Sequence, residues 1–361
     1  MSYFAIITTS TGGKSLLLDS WFLEHRRPFP WREEPTPYRV WVSEVMLQQT
    51  RAQVVVPYFE RWMRLFPDIQ ALAKAPLDQV IKVWEGLGYY SRARNLHAGA
   101  QQIVRKYNGK IPSSREELLE IRGLGPYTVG AILSFGFKQR AAAVDGNVMR
   151  VLARFAWIAE DVGKSATKQK LETAALKMLS EEKPWVTAEA LIELGATICQ
   201  PKPRCEACPL SPNCQAFLRG QPELLPLKQA LARVEKIVRG VAVVESEGHV
   251  LLKENPASQI MGGLSEFPYF EGKRSSLAIQ KELEKWLQVK PQFIARLSSV
   301  NHSFTRFNAD LFPVHFRIAK KQIISHWTWV PIAELLNRSF SSGHRKILQE
   351  RCNFWRSCGL L

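Results

Sequence analysis

Ile121-Arg122-Gly123-Leu124-Gly125-Pro126-Tyr127-Thr128 sets two glycines one residue apart between two stretches of helical periodicity, which is the sequence form of a helix-hairpin-helix. Glycine lets the main chain approach a phosphate closely. The helix opening at Pro126 adds unpaired N–H groups and the positive end of its dipole. Gly123 to Gly125 are therefore a candidate anion site, although a Gly-X-Gly taken alone is more often an ordinary tight turn. Its neighbours carry the decision.

From about Ser15 to Arg219, apolar residues recur every three or four positions, with breaks at Pro, Gly or Asn. Helices are expected over 47–66, 77–87, 95–107, 127–137 and 148–158, giving an all-α domain. Pro222 and Pro226 interrupt this pattern. Beyond Lys236 the sequence turns to β-type runs at 237–245 and 249–253, separated by a Glu-Ser-Glu-Gly turn. A helix over 276–287, β segments around 296–299 and 309–317, and a helical stretch from His344 complete a small α/β domain. The expected organisation is an all-α helix-hairpin-helix domain over residues 1–220, a linker over 221–235 and an α/β domain over 236–361.

With 361 residues, 46% of them apolar, the chain can build two cores, which excludes disorder for most of its length. The net charge is +16: 29 basic against 22 acidic residues up to Glu223, and 20 against 11 beyond it. Charge spread this way attracts polyanions to both parts. An acidic membrane is the competing partner, but no apolar run approaches the roughly 20 residues of a spanning helix. The first residues do not resemble a secretory signal, so a cytoplasmic, reducing location is expected, at the nucleoid if the source is bacterial. In that setting Cys199, Cys205, Cys208 and Cys214, spaced by five, two and five residues, read as a metal site rather than disulfides. Four thiolates suit either iron–sulfur or zinc. Cys352 and Cys358 have no assigned role.

Two carboxyls stand out. Asp145 and Asn147, in Val144-Asp-Gly-Asn-Val-Met-Arg-Val, precede an apolar helix, where capping and catalysis are equally good readings. Glu44, in Trp41-Val-Ser-Glu-Val-Met-Leu-Gln-Gln-Thr, has apolar neighbours and shares a helical face with Gln48; burial would favour its neutral, proton-donating form. Cleavage of a glycosidic bond uses such a pair, an acid to assist the leaving group and an anion to meet the positively charged sugar. On DNA the nucleotide must first leave the stack, and Gly86-Leu-Gly-Tyr-Tyr-Ser-Arg-Ala-Arg offers aromatic side chains for the gap and arginines for phosphates.

The order WVSEVMLQQT, GLGYYSRARNL, IRGLGPYT, VDGNV and the cysteine cluster resembles the MutY-type adenine DNA glycosylases of the endonuclease III superfamily. Met261-Gly-Gly-Leu-Ser-Glu-Phe-Pro and Phe340-Ser-Ser-Gly-His-Arg-Lys-Ile-Leu resemble the family's C-terminal, Nudix-related domain. The resemblance implies a monomeric base-excision-repair enzyme that hydrolyses adenine from duplex DNA where it lies opposite 8-oxoguanine or guanine. By motif position, Glu44 protonates the adenine and Asp145 stabilises or traps the sugar cation, with Tyr127 and Asn147 assisting. Trp31, Arg32 and Glu189 line the adenine pocket; Gln49 and Tyr89 form the wedge; Gly123, Gly125, Lys202 and Arg204 meet DNA; the four cysteines hold a 4Fe-4S cluster.

Tyr127 stands where strand-cutting relatives carry a Schiff-base lysine, which implies a monofunctional glycosylase. Three positions depart from the family's pattern. The first two cysteines have five residues between them rather than six, the 8-oxoguanine loop reads Phe304-Thr305-Arg306 rather than Phe-Ser-His, and Ser265 replaces a common tryptophan. Glu282 and Glu284 alone do not make a Nudix catalytic box, so recognition without hydrolysis is expected of the second domain. Two rivals remain: an enzyme of this fold acting on another mismatched base, and a non-catalytic iron–sulfur DNA-binding protein.

Overall fold

A computed structural model of the chain describes residues 11–228, 234–256, 262–304, 307–357 and 359, with side chains from Ser15 onward. The helices are α1 (Thr11–His25), α2 (Pro30–Glu33), α3 (Pro37–Leu47), α4 (Ala52–Leu65), α5 (Ile69–Lys74), α6 (Leu77–Trp84), α7 (Ser91–Tyr107), α8 (Arg115–Leu119), α9 (Pro126–Ala131), α10 (Gly146–Phe155), α11 (Ser165–Met178), α12 (Pro184–Thr197), α13 (Gln215–Leu218), α14 (Ser276–Leu287) and α15 (Ser342–Ser357). The strands are β1 (Glu235–Ser246), β2 (His249–Glu254), β3 (Ser265–Glu266), β4 (Tyr269–Glu271), β5 (Gln292–Arg296), β6 (Val300–Phe304), β7 (Phe307–Arg317) and β8 (Thr328–Pro331). The chain divides into two compact units, residues 1–74 with 95–230, and residues 75–94 with 231–361.

The first unit is helical. Local chemistry starts its helices: Pro37 occupies the first turn of α3 while the Thr36 side chain accepts from Arg39 N–H, and the Ser114 and Asp145 side chains cap α8 and α10. The expected helix over 47–66 begins only at Ala52, because α3 ends at Leu47 and the chain turns at Gln49, which takes φ +59° with no glycine or proline to mark the break. The expected helix over 127–137 is α9 followed by a π-helical turn, Ile132–Gly136. Leu18 and Phe22 of α1, Val151, Leu152 and Phe155 of α10, Leu171 of α11 and Leu191 and Leu194 of α12 form one buried core. Helix α3 packs against α4, α9 and the π turn and is buried from Val40 to Met46, which puts the Glu44 carboxyl out of bulk water.

The second unit is a mixed sheet covered on both faces. Its strands run in the order β3-β2-β1-β7-β5, with β4 on β1, β6 on β7 and β8 on β2; β1 and β7 are parallel. Alternation along β1 feeds two cores. Val241 and Val243 meet Ile347, Leu348 and Trp355 of α15, whereas Ala242 and Val244 meet Ile279 and Leu283 of α14. The strand expected around 296–299 is in fact the gap between β5 and β6, which pair with successive parts of β7 on either side of Pro313. Residues 75–94, which the sequence places in the first domain, group here for a visible reason. Glu85 accepts the Phe340 N–H at 2.9 Å and pairs with Arg345 at 2.6 Å and Lys82 at 2.9 Å, and the Tyr90 hydroxyl donates to the Phe340 carbonyl at 3.1 Å.

Candidate active site

The first unit holds a cavity of about 970 Å³ whose wall includes Trp31, Arg32, Glu44, Gln49, Tyr127, Asp145, Asn147 and Glu189. These residues come from α2, α3, the turn after α3, α9, the start of α10 and α12, so the motifs that spacing alone could only place in sequence face one space. Its size lies at the upper end of the range of small-molecule pockets.

Glu44 and Asp145 sit in different environments within it. Burial pushes the Glu44 carboxyl up to about 7; the Asp145 and Glu189 carboxylates add to this, and a hydrogen bond from the Tyr127 hydroxyl and the Arg32 charge oppose it. Tyr127 is held well above its ordinary pKa by burial and by those two acids, Glu44 and Asp145, so it stays a donor. Asp145 is the N-cap of α10. Its Oδ1 accepts the Val148 N–H at 2.8 Å and its Oδ2 accepts from Asn147 Nδ2 at 2.8 Å. Burial raises the Asp145 pKa, while these donors and the Arg150 guanidinium favour its anion. Capping and a place at the cavity are therefore properties of the same carboxylate. A Cβ on Gly195 would come within 2.6 Å of Asn147 Cβ, so a glycine there lets α12 press directly on this segment.

Trp31 stacks on Phe29 with centroids 4.8 Å apart and meets the Phe59 ring edge-on at 5.5 Å. The Arg32 guanidinium lies over Phe22 and Phe29, 5.4 and 5.3 Å from the centroids. Its Nε is 3.3 Å from Glu189 Oε2, its Nη2 donates to Glu193 Oε2 at 2.9 Å and its Nη1 to the Arg27 carbonyl at 2.9 Å.

At the hairpin, Gly123 takes φ +87° and Gly125 caps α9, with no atom within 4 Å of the place a Cβ would occupy. Gln49 and Tyr89 are both exposed and both left-handed, at φ +59° and +47°, an unusual conformation for residues with side chains. Cys199, Cys205, Cys208 and Cys214 line one small cavity as free thiols, with Arg154 Nη1 3.4 Å from Cys199 Sγ. Among the described residues, no three His, Cys, Asp or Glu side chains form a group able to hold a metal ion. Lys202 and Arg204 are exposed in the same loop. In the second unit, Phe304 ends β6, stacked on His302 at 5.3 Å; Thr305 and Arg306 lie outside the described residues. Ser265 is buried in β3, and Glu282 pairs with Lys273 at 2.8 Å.

Sequence reasoning missed Glu193, Arg27 and Arg150. Glu193 lies four residues after Glu189, one turn further along α12, and that spacing was its available signal. Arg150 donates to Asn147 Oδ1 at 2.9 Å and to the Cys199 carbonyl at 2.7 Å, tying the capped segment to the cysteine loop; nothing local marks it.

A family described as HhH-GPD superfamily base excision DNA repair protein matches residues 42–177, and a NUDIX domain matches residues 240–350. Fold and site thus define a base-excision DNA glycosylase, a hydrolase of N-glycosyl bonds, with a Nudix-like domain. An adenine DNA glycosylase of Rattus norvegicus is 31% identical over 96% of this chain and 79% of its own length, and one of Mus musculus is 33% identical over 84% and 70%. The chain belongs to the adenine DNA glycosylase family. Among solved structures, a thermostable thymine-DNA glycosylase superposes with a TM-score of 0.53 at 26% identity, covering 58% of this chain and 100% of that one. No helix among the described residues is long and apolar enough to cross a membrane.

Proposed function

We propose that this enzyme excises adenine lying opposite 8-oxoguanine or guanine in duplex DNA, leaving an abasic site without cutting the strand, and that it acts as a monomer. The observation that carries the chemistry is the pairing of Glu44, held near neutrality by burial, with the capped Asp145 on one cavity wall. Glu44 gives its proton to the departing adenine, the bond electrons leave with the base, Asp145 faces the positive charge left on the deoxyribose, and water adds to that carbon and gives its surplus proton to the Glu44 carboxylate. Trp31, Arg32 and Glu189 hold the base; Tyr127 and Asn147 orient the two carboxyls. Gly123, Gly125, Lys202 and Arg204 meet phosphates, while Gln49 and Tyr89 fill the gap left by the extruded nucleotide. Phe304, with Thr305 and Arg306, reads the opposite base.

The chemistry of four free thiols lining one cavity, with Arg154 beside Cys199, supports a 4Fe-4S cluster held by Cys199, Cys205, Cys208 and Cys214, while their present spacing makes no single-ion site. When bound, the cluster secures the loop that carries Lys202 and Arg204 and takes no part in bond cleavage. Purified protein with stoichiometric zinc and no brown absorbance would overturn that assignment.

Single-turnover excision from duplexes pairing adenine with 8-oxoguanine, guanine or thymine tests activity and specificity together. Turnover opposite 8-oxoguanine and guanine is expected; removal of a different base in its place would favour the rival enzyme. Borohydride trapping that required Tyr127 would refute the monofunctional reading.

A further inference from the structure

We infer that Glu193 is a positioning residue that fixes the Arg32 guanidinium and, through Arg32, the Glu189 carboxylate on the wall of the cavity shared by Glu44 and Asp145. This rests on the reading of that cavity as the adenine site. The Glu193 side chain is 1% exposed, yet it faces two arginines: Arg27 Nε and Nη2 donate to its Oε1 and Oε2 at 2.6 and 3.2 Å, and Arg32 Nη2 donates to Oε2 at 2.9 Å. Burial disfavours its charge, but the Arg27 and Arg32 bonds outweigh that and hold its pKa below the usual carboxylate range, so it is an anion at neutral pH.

Every nitrogen of the Arg32 guanidinium is engaged, by Glu189, Glu193 and the Arg27 carbonyl, between two aromatic rings. Arg32 is consequently held as a rigid mount. Its Nε lies 3.3 Å from Glu189 Oε2, an ion pair that ties the Glu189 carboxylate to this mount at the cavity wall, where Lys138 and Arg26 also act on it. The charged neighbours of Glu44 are Asp145, Glu189 and Arg32, with Tyr127 as its neutral donor; behind them Arg27 acts on Glu193, and Lys138 and Arg26 act on Glu189. Removing the Glu193 charge leaves Arg32 with Glu189 as its one carboxylate partner, so more of its positive charge acts on Glu44, which favours loss of the Glu44 proton at lower pH.

The test is the pH profile of single-turnover adenine excision for the full chain and three variants. Glu193→Gln is expected to slow excision about 10- to 100-fold through misplacement at the cavity wall, with duplex affinity kept and the alkaline limb moved to lower pH. Adding Arg27→Gln restores the charge balance, and the limb should return towards its original position. Glu193→Asp keeps the charge but shortens the reach, so it should lower the rate without moving the limb; it also decides the matter if Glu193→Gln fails to fold. An unchanged rate and limb in Glu193→Gln overturns the inference, as does a loss that follows thermal midpoint alone, with no limb shift and no return in the double variant. A parent enzyme inert on every adenine-containing duplex would instead defeat the proposed function.

Discussion

In the proposed reaction Glu44 acts as an acid near neutral pH because of where it is, not what it is. Burial and two neighbouring carboxylates raise its pKa to about 7, and the Tyr127 hydroxyl and Arg32 hold it from going higher. A raised pKa means that the proton is present below neutrality and lost above it. Excision should therefore fall as pH rises through about 7, and should fall again at low pH as Asp145 takes a proton, which a pH–rate profile checks. Tyr127→Phe removes a bond that favours the Glu44 anion, so the alkaline limb is expected to move to higher pH. Glu44→Gln should leave duplex binding intact and cut excision about 10²- to 10⁴-fold; equal loss of both would point to misfolding. Both carboxyls stand out in the sequence, and one cavity holds them. Their protonation states were not legible there, because desolvation belongs to the folded surroundings rather than to the residue.

At the scale of elements, the site is held by close packing of α12 on the start of α10. Gly195→Ala would put a methyl 2.6 Å from Asn147 Cβ and 2.9 Å from the Asn147 carbonyl oxygen, both of which must then shift. The expected cost is about 1–3 kcal/mol in denaturant unfolding, together with slower excision, since Asn147 orients Asp145. Asp145 shows why local patterns stop short. The signature of an N-cap and that of an anion poised over a cavity are the same short stretch, and only the cavity tells them apart. Gln49 makes the opposite case: no glycine or proline announced the turn that separates α3 from α4 and delays the expected 47–66 helix to Ala52, because the strain of a positive φ is carried by a residue that usually avoids it.

For the whole molecule, polar contacts around Glu85 join residues 75–94 to the later part of the chain with which they group. Arg345→Met would leave that carboxylate, 13% exposed, with the Lys82 ammonium and the Phe340 N–H; truncating one partner of a buried pair typically costs about 3–5 kcal/mol, so a marked loss in unfolding free energy is expected. A net charge of +16 distributed over both halves predicts steep salt dependence of duplex binding. A protein making six to ten phosphate contacts loses about 10³- to 10⁵-fold in affinity between 50 and 200 mM salt. A flat log K against log salt plot would contradict the assignment of phosphate contacts to the hairpin and the cysteine loop.

From the chain alone came the hairpin glycines, the clustered thiols, the two acids, the switch from helical to alternating periodicity and the basic charge, all set by neighbours within a few residues. Packing decided the rest: that Glu44 and Asp145, far apart in sequence, share one cavity; that burial tunes one of them to neutrality; that Glu193 locks Arg32; and that residues 75–94 group with the later unit. Such properties arise from contacts between distant segments and from the water those contacts exclude, and neither is written in local spacing.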